Sequence, residues 1–187
     1  QVDYANLPKL RFADVVTRSG FYSMFPGEVR GQSLPNEKAF KDKFGSVNYI
    51  FANAIEAHSK SEGKLFIQRG FFLASEMQRY SALMPEMFVH HVALHEIGHT
   101  TGGYHLKKEP EEHFGKQYHK MEELRAELFS LWSYSKLSQK GVITEDQEMA
   151  GYYAMLTTII GAMKENPIDH NGARNMMFNY FMRDGAI

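Results

Sequence analysis

The segment from Met87 to Thr101 constrains this chain more than any other. Met87-Phe88-Val89-His90-His91-Val92-Ala93-Leu94 contains neither proline nor glycine, so a buried helix is expected over about Met87 to Thr101. Gly102-Gly103 should stop it, because consecutive glycines favour a left-handed cap. Inside it His95, Glu96 and His99 make the pattern H-E-x-x-H. Residues four apart on a helix share a face. Two imidazoles so spaced can grip one Zn²⁺ from a single rigid element, with Glu96 placed to act on a water that the metal activates. The bland alternative is a surface helix with two unrelated histidines, and the apolar flanks argue against it.

Composition narrows the rest. The 187 residues suffice for one domain, taken as 1–187, with a real core. A net charge of -1 offers no basic stripe for nucleic acid or an anionic membrane, so neither is expected as a partner. No stretch of 18 or more apolar residues exists to span a bilayer. The absence of cysteine excludes disulfides and thiolate sites. The chain starts at Gln1 without a methionine, which suggests a processed or cut product. The cytoplasm is the expected compartment, with periplasm and secretion left open.

Along the chain, Phe12–Val16 reads as a strand or short helix, and Gly31–Asn36 as an extended loop ahead of Pro35. Glu37–Phe44 suits a helix ended by Gly45, and Val47–Ala52 a short strand. Glu56–Lys64 is polar and reads as exposed, and Phe66–Pro85 as helix and turn. Tyr104–Gly115 reads as a charged loop containing Pro110. A long helix is expected from about Lys116 to Ser135, with Leu124, Leu128, Leu131 and Trp132 on one face. Helices over Thr144–Met163, led by Thr-Glu-Asp, and Asp169–Arg183 complete the reading.

A catalytic zinc site commonly has three protein ligands and one open position. Two residues compete to be the third. Glu123, in Glu122-Glu123-Leu124-Arg125-Ala126-Glu127, would face the histidines from a returning antiparallel helix. Glu127, one turn on, could then accept the free N–H of a ligating imidazole. His105 instead completes H-E-x-x-H-x-x-G-x-x-H, the metzincin pattern, with Gly102 turning the chain. His91, one turn before His95, suits a supporting or packing role.

With both motifs on one chain, the sequence resembles the dipeptidyl peptidase III family of zinc exopeptidases. That family pairs a zinc-histidine motif with E-E-x-R-A-E on a later helix. Gly31-Gln32-Ser33-Leu34-Pro35-Asn36 looks like its substrate loop, Gly45–Asn53 like the segment that follows, and His170-Asn171-Gly172-Ala173-Arg174 like its late-helix H-x-x-A-R stretch. The resemblance implies His95, His99 and Glu123 as zinc ligands and Glu96 as general base. Glu122 and Glu127 would support the ligands, His170 would stabilise the oxyanion, and Arg174 would bind substrate. Asn36 would hold the peptide's N-terminal region, with backbone help near Gly31. It implies one Zn²⁺, a short peptide as substrate, release of N-terminal dipeptides, and a missing N-terminal domain as the other wall of the cleft. The expected fold is mainly α, a zincin-type helical catalytic domain with a small β contribution. Two departures stand out. The motif is one residue shorter than the usual H-E-x-x-x-H, and Ser33 replaces the family's Asn. A metzincin-like endopeptidase using His105, or a zinc-binding interaction domain without turnover, are the alternatives.

Overall fold

The computed structural model describes residues 9–17, 30–34, 40, 43–45, 47–68, 74–99, 110–163 and 169–186. Three strands come first: β1 (Lys9–Ala13), β2 (Gly31–Leu34) and β3 (Val47–Phe51). Helices follow: α1 (Ala52–Gln68), α2 (Ala74–Tyr80), α3 (Met84–Gly98), the short α4 (Pro110–Phe114), α5 (Tyr118–Gln139), α6 (Glu145–Ala162) and α7 (Asp169–Arg183). The fold is mainly helical with one small sheet, as expected.

The sheet order is β1-β3-β2. β3 pairs parallel with β1 and antiparallel with β2, with Gly31 opposite Ile50 and Leu34 opposite Val47. Asn48 and Ile50 of the central strand are buried and alternate with half-buried neighbours, the period of two that a one-sided sheet requires. The stretch read as a loop at Gly31 is therefore an edge strand as far as Leu34. Pairing with β3 satisfies the backbone groups on its inner side, which local composition could not reveal.

α3 is the central helix. Met84, Pro85, Met87, Phe88, Val89, His91, Ala93, His95 and Gly98 are all buried along it, and it packs against α1, α5 and α6. A helix enclosed on most sides has no polar stripe to preserve. It begins earlier than the sequence suggested because Pro85 sits in its first turn, where a missing N–H costs nothing. Glu56–Lys64, read as merely exposed, lies within α1, which buries Ile55 and Ser59. Pro110 likewise opens α4 rather than lying in a loop. The break expected at Gly102-Gly103 falls outside the described residues.

The leucine face predicted for α5 does not form. Leu124 and Leu131 pack beside Met155, Ile159 and Met177, but Leu128 is 42% and Trp132 58% exposed. The fully buried side of α5 is instead Ala126, Glu127, Ser130, Ser133 and Tyr134. Tyr134 donates its hydroxyl to Met87 O at 2.7 Å. Its ring fills the place where a Cβ on Gly151 of α6 would stand, 2.6 Å away. Small and hydrogen-bonding residues thus replace apolar ones where α5 meets α3, and backbone approach replaces side-chain interdigitation. At the N-terminus of α6, Thr144 and Gln147 form a reciprocal capping box, as the Thr-Glu-Asp signature predicted.

Candidate metal centre

The site is made by the crossing of α3 and α5. A Cβ on Gly98 would lie 2.9 Å from Ala126 Cα and 3.2 Å from its carbonyl oxygen. The two backbones touch there, and no larger pair of residues would allow it. That contact sets the end of α3 against the first half of α5, so His95 and His99 face Glu122, Glu123 and Glu127. Arg125 secures the crossing. It donates to Gly98 O at 2.6 Å and His99 O at 3.1 Å, carbonyls that the end of α3 leaves without helical partners.

Three donor atoms converge at the crossing. His95 Nε2 lies 3.0 Å from His99 Nε2 and 3.1 Å from Glu123 Oε2, and His99 Nε2 lies 3.7 Å from that same oxygen. A tetrahedral zinc with bonds of ~2.0–2.2 Å needs ligand atoms about 3.3–3.6 Å apart, which these separations bracket. Glu123 Oε2 is buried and has no properly directed hydrogen bond among the described residues, although His170 Nδ1 stands 2.8 Å away. Two imidazoles and a carboxylate oxygen at these separations fit a divalent cation.

Each imidazole has a carboxylate at its far nitrogen. Glu122 Oε1 stands 3.2 Å from His99 Nδ1 and is held from Arg125, whose Nε donates to Glu122 Oε2 at 3.1 Å. Glu127 Oε2 stands 3.6 Å from His95 Nδ1. Its other oxygen takes Arg174 Nε at 3.1 Å and Nη2 at 2.9 Å. His91 Nε2 reaches Glu127 Oε2 at 2.5 Å.

The electrostatics follow burial and pairing together. Burial alone would lower the pKa of His95, but the carboxylates of Glu123 and Glu127 beside the ring outweigh it and raise the value to about 10. The same exchange runs the other way for the acids. Burial would raise Glu123 and Glu127, yet His170 and His95 hold Glu123 far below the carboxylate range, and Arg174 and His91 do the same to Glu127. Glu122 is lowered against burial by His99 and Arg125. For His91 burial prevails and the pKa falls. The raised His95 pKa favours a proton on this ring, and any metal bound there would have to displace it.

Glu96 is half-buried at the end of α3, and the Cβ position of Gly31 on β2 is 3.6 Å from its Oε1. The glycine leaves the carboxylate beside the sheet edge uncrowded. The half-exposed His170 ring lies 5.5 Å from that of His95. The residues brought together are therefore His95, Glu96, His99, Glu122, Glu123, Glu127, His170, Arg174 and Gly31. Arg174 turns toward Glu127 rather than toward an open surface. Asn36 and His105 lie outside the described residues. Sequence reasoning missed Arg125 as the clamp, although its place inside the acidic motif, one turn from Glu122, was the available clue.

No protein-family model matches the chain, and no curated protein matches it in sequence. A solved structure described as DPP III from Caldithrix abyssi matches with a TM-score of 0.72 and 22% identity. The match covers 85% of this chain but 31% of the DPP III chain, so this chain spans about a third of that length. The fold of this chain is DPP III-like, with its His-His-Glu cluster at the crossing of two helices of that fold.

Proposed function

We propose that this chain is a zinc peptidase domain, held by His95, His99 and Glu123, that releases dipeptides from the N-terminus of short peptides. The observation that carries the metal is the convergence of three donor atoms at near-tetrahedral spacing around an orphaned carboxylate oxygen. The likeness to a DPP III fold and the separated motifs support the dipeptide-releasing activity. Because the match spans 31% of that chain, a further domain as the opposite wall of the cleft is part of the proposal.

When bound, the metal supplies Lewis acidity, which makes a water acidic near neutral pH and polarises a carbonyl. Glu96 is the base that takes the water's proton and returns it to the leaving amine. Among the described residues β2 is one of the two edge strands of the sheet, and Gly31 lies beside Glu96. A peptide added along such an edge gains main-chain hydrogen bonds and brings its carbonyl to the base. His170 stands close enough to the ligands to donate to the developing oxyanion. Glu122 and Glu127 hold the two imidazoles in register, and Arg125 and Arg174 hold those carboxylates.

The test combines metal content with product analysis. The purified chain should bind one zinc and cut peptides with a free N-terminus, while Glu96→Gln should keep the zinc and lose turnover. Loss of zinc in Glu123→Gln but not in His105→Ala is expected. The reverse, together with cleavage of N-terminally blocked peptides, would establish the metzincin-like alternative. A protein that carries this chain together with the domain forming the opposite wall, holds zinc and still cuts nothing would leave an interaction domain.

A further inference from the structure

We propose that His91 is a positioning residue for the metal: its Nε2–H fixes the Glu127 carboxylate that orients His95. This rests on the metal reading above. His91 and Glu127 are 2% and 1% exposed, so neither exchanges its partner for water. A carboxylate only accepts, so the nitrogen 2.5 Å from Glu127 Oε2 carries the proton. The Nδ1 atom on the other side of the ring is buried and has no hydrogen-bond partner among the described residues.

That orphan is the informative feature. The ring lies parallel to Phe88, with centroids 5.9 Å apart, and against Tyr134 at 6.3 Å. Ser130 Oγ donates to the His91 carbonyl at 3.2 Å, which fixes the backbone beneath it. A phenyl ring would fill such a place and leave no lone pair dry. Packing alone therefore does not account for an imidazole, because burying an unmet acceptor is unfavourable. The one bond the side chain makes goes to Glu127, and to the oxygen that faces His95 Nδ1. Arg174 occupies the other oxygen. Two donors from two helices thus grip the carboxylate, His91 from α3 and Arg174 from α7. With Arg174 alone the group could pivot, and the oxygen 3.6 Å from His95 Nδ1 would no longer be held facing that ring.

His91, His95 and Glu127 also cluster closely enough to hold a cation themselves. The Arg174 guanidinium, 2.9 Å from Glu127, opposes a second positive charge there.

The experiment compares His91→Phe, which keeps the ring and removes the donor, with His91→Gln, whose amide nitrogen can replace Nε2. Zinc affinity is read by chelator competition. His91→Phe should bind about 10–100-fold more weakly and His91→Gln within about threefold of the wild type, the scale on which supporting groups act. Long-range ¹H–¹⁵N spectra of the wild type, metal-free and zinc-loaded, should show His91 protonated at Nε2 alone. That readout holds even if His91→Phe does not fold. Undiminished affinity in His91→Phe, equal losses in both variants, a proton on Nδ1, or two zinc ions per chain would each overturn the proposal. A wild type that binds no zinc would instead overturn the metal reading on which it rests.

Discussion

The two histidines of the motif stand on matching supports in opposite surroundings. On each side an imidazole Nδ1 faces a carboxylate, and the carboxylate is held by an arginine. On the His99 side the carboxylate is Glu122, 20% exposed, and the arginine comes from the same helix one turn away. On the His95 side the carboxylate is Glu127, 1% exposed, and the arginine comes from α7. The wet side can exchange its bonds for water, so each is worth little. The dry side has no such exchange, and losing one partner leaves a charge stranded. The same design is thus adjustable at one histidine and structural at the other.

The sharpest way to break this comparison is Glu127→Gln. It leaves Arg174 without its counter-charge, and unfolding in denaturant should show a loss of about 3–5 kcal/mol, typical of breaking a buried pair. A loss under about 1 kcal/mol would mean that water reaches the dry side. Gly98→Ala acts on both sides at once, because its Cβ would meet Ala126 backbone at 2.9 Å. Thermal or denaturant unfolding should report a cost of about 1–3 kcal/mol from forced separation of the helices. A neutral result would show that α3 and α5 can part without disturbing the site.

Proton competition comes next. His95 has a folded pKa raised to about 10, so its stabilising effect is full below the unfolded value of 6.5 and is lost as pH rises through about 10. The metal-free chain should lose thermal stability over that window. Zinc displaces the same proton, so its apparent affinity should rise about tenfold per pH unit between pH 6.5 and 8.5. An affinity independent of pH would mean that His95 is already unprotonated in the metal-free chain. The smallest effect belongs to Glu122→Gln on the wet side. Denaturant unfolding should change by about 0–1 kcal/mol, since Arg125 keeps its bonds to Gly98 O and His99 O. A loss as large as that of Glu127→Gln would erase the distinction between the two sides.

Legibility in the sequence followed the same division. α3 was readable because an unbroken apolar run and i,i+4 histidines both report a helix. α6 was readable from Thr144 and its capping signature, and α7 as a helix over Asp169–Arg183. α5 was readable as a helix but not in its facing. Its leucines suggested a buried stripe, whereas the buried side is Ala126, Glu127, Ser130 and Tyr134. Helices that approach at backbone distance need small residues, and hydrogen bonds then replace apolar contacts. Hydrophobic period cannot report such an interface. The edge strand at Gly31 was missed for a related reason, since its partner β3 lies across a turn of sequence that local composition does not span.

The sequence by itself determined the helical character of the chain, the presence of two histidines and a glutamate at H-E-x-x-H spacing on one helix, and a short list of acids that could meet them. Those are properties of residue type and of spacing along a single element. Which acid faces which nitrogen was decided only by the tertiary structure. The contact of Gly98 with Ala126 sets the crossing, and the crossing puts Glu123 between the imidazoles, Glu122 behind His99 and Glu127 behind His95. The same packing brought Arg174 to Glu127 across 47 residues of chain. Such pairings depend on distances between helices, and one-dimensional spacing carries no information about those distances.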